Sequence, residues 1–293
     1  MKTPAVAGLS FVVLFGLTVS TFAQPVPLAP SSEVDSDLQA RKFTLLPKIF
    51  QRNPTLEMTA FTEVTAHGKT LAPATPEAPQ YYALTEKGRQ DRGEVMAGDA
   101  GPSREELLAP LQRALARAGY RPADETHPAT LALIWYWGSH NAPDGDMIRM
   151  FPDLAFKYAV DAAMLVGGRH YAQKIFREFD VAGWDYSVSA KKDFLRTQVA
   201  EDLYYVVVSA YALGEIAQNQ HRVLWRTSMT VNTRGVSMRE SLPPLIMTAG
   251  DYFGRATTES VALRRAVRRG TVKLGPMEIL ESSDWVRLAS ATK

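Results

Sequence analysis

The residues best placed to do chemistry form one run, Gly138-Ser139-His140-Asn141-Ala142-Pro143-Asp144-Gly145-Asp146. It follows an apolar stretch that reads as a strand, and α/β proteins commonly carry functional groups just beyond strand ends. His140 with Asp144 and Asp146 offers nitrogen and oxygen donors to a divalent cation. Ser139 beside His140 offers a hydroxyl and a base for nucleophile activation. Local chemistry weighs against both. Asn-Ala-Pro-Asp-Gly is the composition of an ordinary turn, and neighbouring Ser and His side chains diverge on an extended backbone. No established metal-loop spacing is met, so turn chemistry is the stronger reading and no metal or cofactor is expected.

Trp135 and Trp137 share one face of that strand, with Tyr136 opposite. Such a pair can form a platform for a sugar or peptide, although large aromatics at this spacing more often fill a core. A hydrolase or small-ligand enzyme would draw on Trp135, Trp137, Ser139, His140, Asp144 and Asp146. Gly167-Gly168-Arg169-His170 has no Gly-Lys-Ser/Thr signature and reads as a helix stop. The remaining histidines, His67, His127 and His221, are scattered, and Asp180 and Asp185 flank Trp184 without further carboxylate support.

A last cluster is basic. On a helix, Arg264, Arg265, Arg268 and Arg269 would fall within one arc, opposite Ala262, Leu263, Ala266 and Val267. A short basic amphipathic helix can touch anionic lipid, and a solvated face packed against the domain is the plainer alternative.

These groups need a scaffold. The chain has 293 residues, 46% hydrophobic and 22% charged, with a net charge of +2, which suits a globular protein and argues against dedicated nucleic-acid binding. With no cysteine, disulfides, thiolate metal sites, a Cys nucleophile and a lipid-bearing Cys are all excluded. Lys2, the apolar run Ala5–Val19 and the small residues ending at Ala23 have the layout of a secretory signal peptide. Cleavage after Ala23 is expected, giving a periplasmic or secreted chain without a transmembrane span; an uncleaved anchor is the alternative.

Residues 24–54 read as a Pro-rich tether followed by an arm, in which Leu38, Phe43, Leu45, Leu46 and Ile49 suit a short helix or an ordered extended piece. Leu56–Thr65 alternates as a first core strand, Tyr81–Leu84 is a short strand, and Gly-rich Glu86–Gly101 is an exposed loop. Ser103 and Glu106 form a capping box for a helix carrying Leu107, Leu111 and Leu115. Ala129–Gly138 and Tyr204–Leu213 are apolar on both faces, as strands covered from two sides should be. His221–Asn232 alternates, which predicts Arg222, Arg226, Ser228 and Thr230 in water. Ser241, with Pro243 and Pro244 in the first turn, signals a last helix.

Gly119-Tyr120 closing a helix, an apolar strand, a hairpin carrying Val223-Leu224-Trp225-Arg226, and a final amphipathic helix together resemble a group of uncharacterised bacterial envelope proteins, many of them lipoproteins. The resemblance spans about residues 55–255 and implies a small α/β sandwich and an envelope compartment. This chain departs from the group in lacking the lipid-bearing Cys and in carrying a helical insertion at about 144–203.

The expected fold is therefore α+β: a two-layer, partly three-layer sandwich with a mainly antiparallel sheet and a helical insertion. The domain at 55–256 would be followed by a basic C-terminal helix and arm at 257–293. The expected role is non-enzymatic: an exported envelope protein that binds a protein partner or an anionic envelope surface.

Overall fold

The strand with apolar residues on both faces lies in the middle of the sheet. The computed structural model describes residues 46–93, 101–142, 146, 150–180 and 197–269. Its strands are β1 (Thr55–Val64), β2 (Gln80–Arg89), β3 (Arg92–Gly93), β4 (Tyr120–Pro122), β5 (Leu131–Asn141), β6 (Leu203–Ala212), β7 (Val223–Asn232) and β8 (Val261–Ala266). They form one sheet in the order β4-β2-β5-β6-β7-β1-β8, with β3 also pairing β5. Pairing is antiparallel from β5 through β8, whereas β2 runs parallel to both β4 and β5, so the sheet is mixed.

Helices among the described residues include α1 (Arg104–Arg117), α2 (Pro152–Asp180), α3 (Leu213–Ala217) and α4 (Met238–Ala249). Leu107, Leu111 and Leu115 of α1 join Leu242, Leu245 and Ile246 of α4 over one face of the sheet. The row Tyr204, Val206, Val208 and Ala210 on β6 meets these helices, while Leu203, Tyr205 and Val207 face α2 on the other side. Each Leu or Val fully removed from water contributes about 1.5–3 kcal/mol, so two-sided burial makes β6 the spine of the molecule. The α+β sandwich is thus two-layered under α1 and α4 and three-layered where α2 crosses β1 and β7.

The second hairpin strand departs from its alternation. Arg222 and Arg226 are exposed, but Ser228 and Thr230 are buried on the face that α2 covers. Thr230 meets Thr59 of β1 hydroxyl to hydroxyl at 2.5 Å, and Thr227 meets Thr62 at 2.8 Å. Cross-strand partners of this kind let a buried hydroxyl replace its water. Leu224 also turns inward, because the register slips between Ala210 and Tyr211 and leaves Leu224 as the extra residue of a bulge. Its carbonyl is taken by the N–H of Thr65 at 2.9 Å.

Three boundaries differ from the sequence expectation. The Gly-rich stretch after Leu84 continues β2 to Arg89, with a register irregularity between Glu86 and Arg89, and then forms β3. Ser237, not Ser241, caps α4: its extended backbone lets its hydroxyl accept from Glu240 N–H at 3.2 Å. Ser241 lies inside the helix and donates back to Ser237 O at 2.8 Å, so Pro243 and Pro244 fall in the second turn. Gly168 does not end the helix but joins two helical segments through a backbone at φ 70°, ψ −168°. A Cβ there would sit 2.1 Å from the Phe61 ring, so only glycine permits both that backbone and the close approach to β1.

Candidate functional site

Ser139 and His140 lie near the C-terminal end of β5, and strand geometry sends them to opposite faces. The Ser139 hydroxyl donates to Asp91 Oδ1 at 3.0 Å, and its N–H reaches the same oxygen at 2.9 Å. Asp91 Oδ2 accepts from Arg89 Nε at 2.7 Å. The serine therefore fixes the β2–β3 connection against β5 and has no histidine to take its proton.

His140 faces α2 and is 1% exposed, with the Tyr158 ring edge-on at 6.3 Å. Neither ring nitrogen has a hydrogen-bond partner among the described residues. Burial pulls its pKa below the ordinary histidine range, against the opposing pull of Asp161 and Asp202 and with a further downward push from Arg92. Arg92 lies 5.7 Å over the Tyr205 ring, whose hydroxyl donates to Gln90 O and whose pKa burial pushes up to about 12. Asp202 accepts the Ala142 N–H at 2.7 Å. The outcome is a neutral imidazole wedged between sheet and helix, held by packing.

Asp144 lies outside the described residues, and Asp146 is exposed. Among the described residues no group of three or more His, Asp or Glu side chains could hold a metal. Trp135 and Trp137 stack at 4.7 Å but are 0% and 5% exposed, inside the core beneath α1 and α4. An indole pair so placed packs the sheet and presents no open face.

The basic cluster has a different form from the one its spacing suggested. Arg264 and Arg265 belong to β8, an edge strand paired with β1, so they alternate across a strand and do not share a helical arc. Competition from β1 decides this: Leu263 packs at the edge of the core and Ala262 is buried under α2, a two-sided pattern that a strand satisfies. Arg264 approaches Glu57 at 3.7 Å, Arg265 donates to Thr248 Oγ1 at 3.1 Å, and Arg268 is exposed.

Arg269 is the organising residue. Its Nε and Nη2 grip the Glu240 carboxylate at 2.5 and 3.0 Å, and Nη2 also donates to Gly235 O at 2.7 Å. Its Nη1 donates to Lys48 O, Ile49 O and Gln51 O at 2.8, 2.6 and 3.3 Å. Only the planar fork of a guanidinium can bridge a helix start, a turn and an arm in this way. Hydrogen bonding to Glu240 raises its pKa further. Gly235 sits at φ 67°, and a Cβ there would come within 2.8 Å of Ile49 N, so the turn and the arm require a glycine.

Within the arm, Pro47 precedes one 3-10 turn at Lys48–Phe50, its ring presetting the backbone at the turn's start. Phe50 N–H returns to Pro47 O at 2.9 Å, Gln51 Nε2 donates to Leu46 O at 2.6 Å, and the backbone pairs onward through Arg269 N–H to Arg52 O at 3.0 Å. Fastened from below, the arm leaves Leu46, Ile49 and Phe50 49%, 62% and 70% exposed. The sequence signalled an apolar arm here but not its fastening, since Arg269 lies more than two hundred residues away and its acceptors are carbonyls.

No protein-family model and no curated protein matches the chain. Several solved structures are similar to it at low identity. One is a point variant of a PelC dodecamer from Paraburkholderia phytofirmans, 13% identical over 67% of this chain and 95% of that one, with a TM-score of 0.27. A DUF4136 family protein from Bacteroides thetaiotaomicron is 13% identical over 66% of this chain and 91% of that one, at 0.27. A PDZ domain protein from Parabacteroides distasonis is 11% identical over 80% of this chain, at 0.34; the match spans only 42% of that longer protein.

Proposed function

We propose that this is an exported, non-enzymatic envelope protein that works as a docking module through the arm at 46–50. One observation carries the reading: Arg269 fastens the arm at three carbonyls while Leu46, Ile49 and Phe50 project outward. Exposed Leu, Ile and Phe side chains clustered within five residues are costly to leave in water. Holding them on a rigid support lowers the ordering cost of binding, which is how anchor residues of an interface gain affinity. The signal-like Lys2–Ala23 segment and the Pro-rich tether at 24–36 support an exported chain. The divergence of Ser139 and His140 and the burial of the Trp135–Trp137 stack support a binding role over a hydrolytic one.

The reading is tested by placing a photo-cross-linking amino acid at Phe50 and irradiating cells that export the chain. A discrete adduct, absent when the probe replaces exposed Thr126 instead, is expected. Recovery of only the uncross-linked chain would overturn the docking role, and retention in the cytoplasm would overturn the export.

A further inference from the structure

Basic residues surround the apolar tip of the arm. Lys48 lies within it, Arg52 is exposed at its end, and Arg268 is exposed on the strand extension that pairs with it. Among the described residues, Glu57 lies 3.6 Å from Lys48 and 3.7 Å from Arg264, and Glu240 is gripped by Arg269. Arg52, two residues after Phe50, and Arg268, next to the Arg269 that pairs with it, are both exposed. Projecting Leu, Ile and Phe flanked by Lys and Arg is the chemistry of an interfacial membrane contact, in which apolar groups enter the acyl boundary and cations meet anionic headgroups.

Resting on the docking-arm reading, we infer that the surface this arm docks on is an anionic phospholipid bilayer, with Ile49 and Phe50 inserted and Arg52 and Arg268 at the headgroups. The charge rim selects this occupant. An apolar protein pocket would gain nothing from Arg52 and Arg268, whereas each basic residue near an anionic bilayer strengthens binding about five-fold. The geometry also suits shallow insertion: one 3-10 turn reaches the interface and cannot span it. No helix among the described residues is long and apolar enough to cross a membrane.

The test is co-sedimentation of the chain from Gln24 to Lys293, which contains every described element, with vesicles of phosphatidylcholine alone or mixed with phosphatidylglycerol. Binding is expected to the mixed vesicles at low salt and to weaken at high salt, because headgroup attraction is screened. The Ile49→Ser/Phe50→Ser double variant should bind at least about ten-fold more weakly, the factor expected from losing one buried apolar side chain. Arg52→Glu should weaken binding to the mixed vesicles and shrink their advantage over phosphatidylcholine alone. All these positions are exposed, and an unchanged melting temperature shows that the variants fold. Equal binding to both vesicle types, no binding to either, or full binding by the double variant would each overturn the lipid assignment. A protein-sized adduct from the Phe50 probe together with no vesicle binding would remove the bilayer and leave the docking arm standing. Absence of any adduct would remove both.

Discussion

Replacing Arg269 with Ala should release the arm without unfolding the sheet. The substitution deletes contacts to Glu240, Gly235 O and three carbonyls of residues 48–51. Hydrogen bonds to a charged group contribute about 1.5–3 kcal/mol each when dry, and exposed ion pairs less than about 1 kcal/mol. The Arg269 side chain is 24% exposed, and water takes over the freed carbonyls once the arm lifts. A combined loss of about 2 kcal/mol in the arm's local opening energy follows, equivalent to roughly thirty-fold in exchange protection. Hydrogen exchange read by mass spectrometry on a peptide covering residues 47–54 measures it directly. Peptides from β5 and β6 should not change, because their core contacts do not involve Arg269. Arg269→Lys should resemble the Ala variant more than the wild type, since an ammonium cannot reproduce the fork. An arm whose exchange changes less than about three-fold, or a β6 that accelerates with it, would show that Arg269 does not fasten the arm independently of the sheet.

Other outcomes follow from individual contacts. Gly168→Ala should destabilise the protein by about 2–4 kcal/mol in urea unfolding, from the forbidden backbone and the Phe61 clash together, and adding Phe61→Ala should return part of the loss. Ser103→Ala breaks a capping box in which Ser103 N–H meets Glu106 Oε2 at 2.7 Å, and should cost about 1 kcal/mol by the same assay. His140 has a folded-state pKa depressed below 6.5, so the unfolded chain takes up the proton first as pH falls. Its contribution is complete above about pH 6.5 and is lost below that, at up to about 1.4 kcal/mol per pH unit, until the folded-state pKa is reached. His140→Leu should flatten this part of the stability profile, and an unchanged acid slope in the variant would show that other groups set it.

How much of this was readable in the sequence depended on whether the deciding contact was local. The two-faced apolar rows of β5 and β6 announced central strands, and Ser103 with Glu106 announced the start of α1, because periodicity and capping act over a few residues. Ser228 and Thr230 misled because a period of two reports polarity, not exposure, and a buried threonine needs only a partner such as Thr59 or Thr62 across the ladder. Arg264 and Arg265 looked helical for a similar reason: four arginines satisfy an arc on paper, but the edge of β1 was open to pair with their backbone. Of the candidate site, the Ser139–His140 divergence was legible from strand geometry alone. The fastening by Arg269 was not, because it joins residues 48–51, 235 and 240 through backbone carbonyls, which leave no residue-type signature.

A benzophenone side chain at position 50 in the exported protein asks whether the arm at 46–50 is the docking surface. An adduct with envelope material, lipid or protein, is expected from position 50 and none from position 126 on the opposite edge of the sheet, with the position-50 adduct much reduced when Arg269→Ala loosens the support. Equal labelling from both positions, or none from position 50 in a folded and exported chain, would contradict the docking role.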